Sequence, residues 1–309
     1  MQQVVRTAHA KINLALAVGP PRLADGFHPI CSWFAPIDLA DTLTLTRLAD
    51  NAHSRHETAW ADDAPRTSPI DWPIEKDLAV RAHRLIEAEV ARPLPIAMRL
   101  TKRIPVGGGL GGGSSDAAAM LRALIELFDL RVPAAHLHTL ALSLGSDVPY
   151  FLLDPLTPAI VEGVGDAIVP TPPIEGRLVL ILPPFGCPTG SVYRAFDSLK
   201  PGPMRDTAVR NMALAAPRAE SLFNDLALAA ETIEPRLAHT RAVAARAIGQ
   251  PVHVTGSGST LFAIIDSGEL PRHITALNDA LPDCAVLDSC FLGGPHRSVP
   301  AAGPAPRRT

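Results

Sequence analysis

The stretch from Pro105 to Asp116, Pro-Val-Gly-Gly-Gly-Leu-Gly-Gly-Gly-Ser-Ser-Asp, constrains this chain more than any other. Gly107, Gly108 and Gly109, then Leu110, then Gly111, Gly112 and Gly113 make a loop that can reach positive φ angles and approach a ligand with bare backbone. Apolar residues then recur at Ala117, Met120, Leu121, Leu124 and Phe128, the spacing of a helix. Such a loop aims unpaired N–H groups and the positive end of a helix dipole at one point, which suits a phosphate. The plainer reading is a flexible linker with a helix cap. Linkers seldom hold a leucine among the glycines or end so abruptly in a helix, so phosphate binding is the expectation.

The chain has 309 residues, 47% of them hydrophobic, enough for one large or two modest domains. A formal charge of −3 gives no electrostatic reason to expect a nucleic-acid partner. The four cysteines, Cys31, Cys187, Cys284 and Cys290, form no CxxC pair and no metal spacing, and read as thiols in a reducing compartment. Residues 1 to 10 lack a signal-peptide profile and no apolar run approaches the length of a membrane span. The expectation is a cytoplasmic protein with no membrane partner.

Val4 to Val18, interrupted by Lys11 and Asn13, reads as two short strands, and Leu39 to Leu48 as a half-buried strand. Residues 50 to 72 are polar and read as a loop or irregular hairpin. Helical spacing covers Leu78 to Val90, Ile96 to Leu100 is a strand, and the helix after the glycines runs to about Leu130. Pro133 starts another helix that Gly145 closes. A domain boundary is expected around Asp154 to Pro158. Leu178 to Leu182 is a buried strand, and the Pro- and Arg-rich residues 200 to 218 read as a mobile connection. Helical patterns at 221 to 230 and 233 to 247 precede strands at Val252 to Val254 and Leu261 to Ile265, which flank a Thr-Gly-Ser-Gly-Ser-Thr loop. Residues 293 to 309 have the composition of a disordered tail.

Two common phosphate loops fit poorly. A Walker loop ends in Gly-Lys-Ser/Thr, and none of the four lysines, Lys11, Lys76, Lys102 and Lys200, follows the glycines. A dinucleotide fingerprint wants a buried strand just before them, where this chain has Lys102, Arg103 and Pro105. The loop instead resembles that of the GHMP kinases. Its expanded Gly-Leu-Gly-Gly-Gly-Ser-Ser-Asp-Ala-Ala form is similar to the branch that phosphorylates 4-diphosphocytidyl-2-C-methyl-D-erythritol in non-mevalonate isoprenoid synthesis. Three further segments carry the resemblance: Gly26-Phe27-His28, Gly145-Ser146-Asp147-Val148-Pro149, and the loop from Thr255 to Thr260.

The resemblance implies an α+β GHMP kinase fold in two domains. The first, over 1–156, is ribosomal-protein-S5-like and binds ATP; the second, over 157–292, is ferredoxin-like; the tail is 293–309. It implies transfer of the γ-phosphate of ATP to the substrate's 2-hydroxyl in the cleft between the domains. Lys11 alone, alternating with apolar neighbours, would be a solvent-facing strand residue with Asn13 on the same face. The resemblance puts Lys11 and Asp147 at the chemistry, Asp147 accepting the hydroxyl proton, with Asn13 on the substrate polyol. Asp147 alone would be a turn aspartate, but its apolar setting calls for a cationic partner.

Pro105 and Val106 through Ser114 and Ser115 would cradle ATP, with Lys102 also on the ATP side and Asp77 near the adenine pocket; Asp77 stands where the pattern usually has Asn. Ser114 or Ser115 also suits a helix cap, and Asp116 a first-turn acid. Phe27, where the pattern has Tyr, would stack on cytosine, and His28 would read its polar edge. Tyr193 is either the second stacking ring or an ordinary core tyrosine. Thr189 would offer a hydroxyl to the polyol or diphosphate, and Glu162 matches a family segment without a clear role. Mg2+ is implied with no ligand assigned, and a monomer or weak homodimer is expected. The alternatives are a homoserine- or mevalonate-type kinase, or a non-catalytic nucleotide sensor of the same fold.

Overall fold

The structure, a computed structural model, describes residues 2–292; the expected tail from 293 to 309 lies outside them. Its first unit is β1 (Gln3–Val18) paired antiparallel with β2 (Ile30–Arg47), from Val4 opposite Leu45 to Val18 opposite Ile30. The polar Lys11 and Asn13 do not split β1 in two as expected. The register slips between His9 and Lys11 and again between Asn13 and Ala15, so the strand bends without ending. Next come β3 (Arg55–Trp60), α1 (Leu78–Glu89) and β4 (Ile96–Lys102). The loop expected over 50 to 72 therefore contains an edge strand. β3 pairs parallel with β4, a partner distant in sequence, and Arg-His-Glu-Thr-Ala-Trp carries no apolar alternation to announce it.

Helix α2 (Gly112–Leu127) starts inside the glycine run, and α3 (Ala134–Leu144) lies between Pro133 and Gly145 as expected. After them come β5 (Ala159–Gly163) and β6 (Ala167–Pro170). β5 hydrogen-bonds to the first half of β2, whose second half is taken by β4. The first sheet thus draws strands from both sides of residue 156.

The second sheet starts with β7 (Arg177–Leu182), followed by α4 (Thr189–Ser198) and α5 (Asp206–Met212). A two-residue strand, β8 (Phe223–Asn224), returns to β1 in the first sheet. Then follow α6 (Ala227–Ile233), α7 (Pro235–Ile248), β9 (His253–Val254), β10 (Leu261–Ile265), α8 (Leu270–Ala280) and β11 (Ala285–Cys290). The order β11-β7-β10-β9 places four strands as fourth, first, third and second, with helices after the first and third, the ferredoxin-like arrangement. Residues 200 to 218 are not the expected bare connection: α5 sits there, with Val209 buried against β1 and β2.

Three apolar clusters hold these layers. Leu43, Leu45 and Met98 of the first sheet meet Ile86, Leu121 and Leu124 of α1 and α2. Ile12, Leu14 and Trp33 meet Leu178, Leu180 and Phe262 and so join the two sheets. Val179, Ile181 and Ala263 face α4 and α6 to α8. Each such side chain stabilises by ~1.5–3 kcal/mol when fully buried. All four cysteines are free. Among the described residues no helix is long and apolar enough to cross a membrane.

Candidate active site

Strands β1 and β2, the glycine loop, α4 and the 255–260 loop enclose a cleft of about 910 Å³, a size that suits a nucleotide-sized ligand. Lys11 lies on its floor, 3% exposed, at the first slip of β1. Its Nζ donates to Asn13 Oδ1 at 2.8 Å and to the Gly109 carbonyl at 3.2 Å, and stands 3.5 Å from Asp147 Oδ2. It also lies 4.6 Å from the centroid of the Phe34 ring. Lys11 and Asn13 share a face, as expected, but it faces inward. Asp147, in the turn that Gly145 opens after α3, keeps 28% of its side chain exposed to the cleft. A buried ammonium needs such an anion. Asn13 is held by Ser32, whose Oγ accepts from Nδ2 at 2.8 Å, and by Thr255, whose Oγ1 accepts from the Asn13 N–H at 2.9 Å.

The glycine loop crosses over this pair. Gly107, Gly109 and Gly111 have φ of 72°, 77° and 73°, the left-handed region. A Cβ on Gly109 would collide with the Thr255 carbonyl, so two loops from distant parts of the chain touch backbone to backbone. The Thr260 N–H donates to the Gly108 carbonyl at 3.2 Å, and the Lys11 N–H to the Leu110 carbonyl at 3.0 Å. Leu110 is buried in the cluster that joins the sheets, which explains a leucine among glycines. Neither Ser114 nor Ser115 caps α2. The cap is Gly111, no side chain accepts there, and the first-turn N–H groups stay free for an anion. Pro105, Val106 and Ser114 line the cleft, while Ser115 is buried beneath.

At the other end, Phe27 is 60% exposed and lines the cleft with Tyr193 of α4. The His28 ring lies 5.0 Å from Tyr193 and 6.0 Å from Phe196. His28 Nδ1 donates to the Gly19 carbonyl at 2.8 Å, and Nε2 is 3.4 Å from Asp197 Oδ1. Both ring nitrogens therefore have protein partners, which also orient the ring. Burial, with a smaller push from Asp147, lifts the Tyr193 phenol to about 12, so it stays protonated. Thr189, first in α4, shares a 2.9 Å hydrogen bond with Ser257 of the 255–260 loop.

Residues 77–154 match the GHMP kinases N terminal domain. Over 269 residues the chain is 37% identical to the 4-diphosphocytidyl-2-C-methyl-D-erythritol kinase of Polaromonas naphthalenivorans, covering 85% of this chain and 86% of that one. The protein of the same name from Corynebacterium efficiens is 34% identical over 320 residues, covering 99% and 96%. This chain belongs to the 4-diphosphocytidyl-2-C-methyl-D-erythritol kinase family. A crystal structure of 4-(cytidine 5'-diphospho)-2C-methyl-D-erythritol kinase has a TM-score of 0.72 and 32% identity, covering 94% of this chain and 100% of that one. Mevalonate kinase from L. major, 14% identical with a TM-score of 0.66, shares the fold alone.

In this member of the erythritol kinase family, two ATP-side expectations take a particular form. Asp77 caps α1, its Oδ1 accepting from the N–H groups of Ala79 and Val80 at 2.9 and 3.3 Å. Lys102 lines the cleft but is only 4% exposed, its Nζ 2.5 Å from Asp41 Oδ2 and 2.6 Å from Asp116 Oδ2. Its charge is thus committed to two carboxylates. Burial alone would lower the ammonium pKa; Asp116 and Asp41 more than reverse that, and it rises. Asp116 is therefore more than a first-turn acid. Burial lifts its carboxyl most, Lys102 pulls it down and Asp41 pushes it up again, to about 8.

Several residues escaped the sequence reading. Asp41 left only the weak signal of an acid inside a strand pattern. Ser32 left none, since hydroxyls in strands are common, and Thr255 was marked only as the start of the 255–260 loop, not as a partner of Asn13. Trp72, Lys76 and Arg194 also line the cleft, and only its shape reveals them.

Proposed function

We propose that Lys11 and Asp147 carry the phosphoryl transfer of this 4-diphosphocytidyl-2-C-methyl-D-erythritol kinase, which moves the γ-phosphate of ATP to the 2-hydroxyl of its substrate. What supports these roles is one contact: Lys11 Nζ stands 3.5 Å from Asp147 Oδ2, beneath the glycine loop and the free N-terminus of α2. In the transfer, the substrate oxygen bonds to the γ-phosphorus, the bond to the β–γ bridging oxygen breaks, and Asp147 takes the hydroxyl proton. Lys11 pairs with Asp147 and stabilises charge on the transferring group. The loop backbone and the first turn of α2 receive the phosphates. Asn13 and Thr189 orient the polyol, while Phe27 and Tyr193 take the cytosine faces, with His28 beside them.

Magnesium, which this reaction class implies, takes most of its ligands from phosphate oxygens and water and needs few from protein. Among the described residues no group of three or more His, Cys, Asp or Glu gathers to hold a metal by itself. Ser114 on the cleft wall fits the smaller need as a hard oxygen donor. An ion there would neutralise phosphate charge.

Asp147→Asn tests the reading. ADP release with the cytidyl substrate should lose ~10²–10⁴ in kcat while ATP affinity changes little. Near-normal turnover would remove Asp147 from the chemistry. A wild-type protein that binds ATP but releases no ADP with the substrate would be the non-catalytic sensor.

A further inference from the structure

We propose that Asp41 is a positioning residue for the nucleotide loop, holding both ends of the glycine run at the spacing ATP requires. This rests on the reading that the loop binds ATP. Asp41 lies on β2, outside the loop and 0% exposed. Its Oδ1 accepts from the backbone N–H groups of Arg103 and Ile104, at 2.5 and 2.8 Å, immediately before Pro105. Its Oδ2 accepts from Lys102 Nζ at 2.5 Å. The same ammonium donates to Asp116 Oδ2 at 2.6 Å, in the first turns of α2, where the loop ends. One carboxylate therefore reaches the loop entry directly and the loop exit through Lys102.

A glycine-rich segment needs such an anchor. Glycine loses more conformational freedom on ordering than any other residue, and a ligand that must order the whole run loses that much affinity. Clamping both ends removes most wrong loop shapes before the ligand arrives. Charge-assisted bonds inside the protein suit the task, being short and directional. Asp41 touches no phosphate itself, since its oxygens are spent on Lys102, Arg103 and Ile104. Its effect falls on ATP, because its bonds go to Lys102, Arg103 and Ile104, while the cytidyl end of the cleft is lined by Gly26 to His28, Ile30 and α4.

The test is Asp41→Asn, which keeps the side-chain shape but turns one arm into a donor that faces the Lys102 ammonium. Binding of the non-hydrolysable analogue adenylyl imidodiphosphate is titrated calorimetrically, and KM is measured for each substrate. The expected result is analogue affinity and ATP KM worse by about 10–10²-fold, as for a misplaced binding loop, with the cytidyl KM within about twofold. A folded Asp41→Asn protein with unchanged analogue affinity overturns the proposal, as does an equal loss for both substrates. If Asp41→Asn does not fold, Asp116→Ala decides. It cuts the link to α2 yet leaves the Lys102–Asp41 pair neutral, so analogue affinity should fall at least about threefold, and no change overturns the proposal. Wild-type protein that does not bind the analogue at all would instead sink the ATP reading, and the clamp with it.

Discussion

Lys102 shows how a single side chain acquires a role that its neighbours in sequence do not suggest. Burial first, then the Asp41 carboxylate across the shared Lys102 ammonium, raises the Asp116 carboxyl to about 8 although Lys102 pulls it down. In the unfolded chain that carboxyl titrates near 4. Between roughly 4 and 8 the folded state thus binds the extra proton, and stability from this group is full at low pH and lost as pH rises through the window. Asp116→Asn should remove that loss. Melting temperature measured at pH 5 and pH 9 should separate wild type from variant more at the higher value, in the variant's favour. A constant difference would show that Asp116 titrates normally. At the other end of the cleft, Phe27 is exposed and lines the cavity, as a stacking platform should. Phe27→Ala should weaken the cytidyl substrate by ~1–3 kcal/mol. An unchanged Kd by calorimetry would leave Phe27 with no part in base recognition.

Among the elements, α1 and β3 are tied by a pair of histidines, His83 buried and His56 half-buried. The Leu94 carbonyl can only accept, so His83 Nε2 carries the proton it donates there at 2.9 Å, and Nδ1 accepts from His56 Nε2 at 3.0 Å. Burial first, then mutual repulsion at His56, lowers the pKa of both below the ordinary 6.5. Their contribution is complete above about 6.5 and is lost as pH falls below it, because the unfolded histidines then take protons that the folded pair refuses. His83→Gln should therefore flatten the fall in melting temperature between pH 7 and pH 5. A wild-type slope retained in that variant would place the acid sensitivity elsewhere. Strand β1 is another case: its two register slips keep one continuous strand while turning Lys11 and Asn13 into the cleft. Helix α5 turns a Pro- and Arg-rich stretch into a packed element through Val209 and an ion pair from Arg210 to Glu162, which gives Glu162 a structural task.

For the molecule as a whole, the decisive contact lies between loops some 150 residues apart in the chain, where Gly109 meets Thr255 and Gly108 meets Thr260. Gly109→Ala should fail twice, through a φ of 77° that alanine adopts at a cost of about 1 kcal/mol and through collision with the Thr255 carbonyl. Both melting temperature and ATP-analogue affinity should drop. Gly202→Ala, at a position with open space around it, serves as the control that changes neither. If Gly109→Ala behaves like that control, the two loops are not pressed together as described. The cluster of Ile12, Leu14, Trp33, Leu178 and Phe262 underlies the contact, because it packs the two sheets as one body and so holds the cleft walls at fixed distance.

Local order was written plainly in the amino acids. Backbone freedom at 107 to 113, the helical spacing after it, and the Pro133 and Gly145 bounds of α3 are properties of neighbouring residues, which short-range sterics decide. The resemblance that the motifs carry implied a shared cleft for Lys11, Asp147, Phe27, His28 and Tyr193, and all five line one. What required the tertiary structure was every pairing across long separations: β3 on β4, β5 on β2, Asp41 on Lys102, the 255–260 loop on the glycines. Hydrogen bonding and burial there depend on which distant strand arrives alongside, and nothing in a residue's own neighbourhood carries that information.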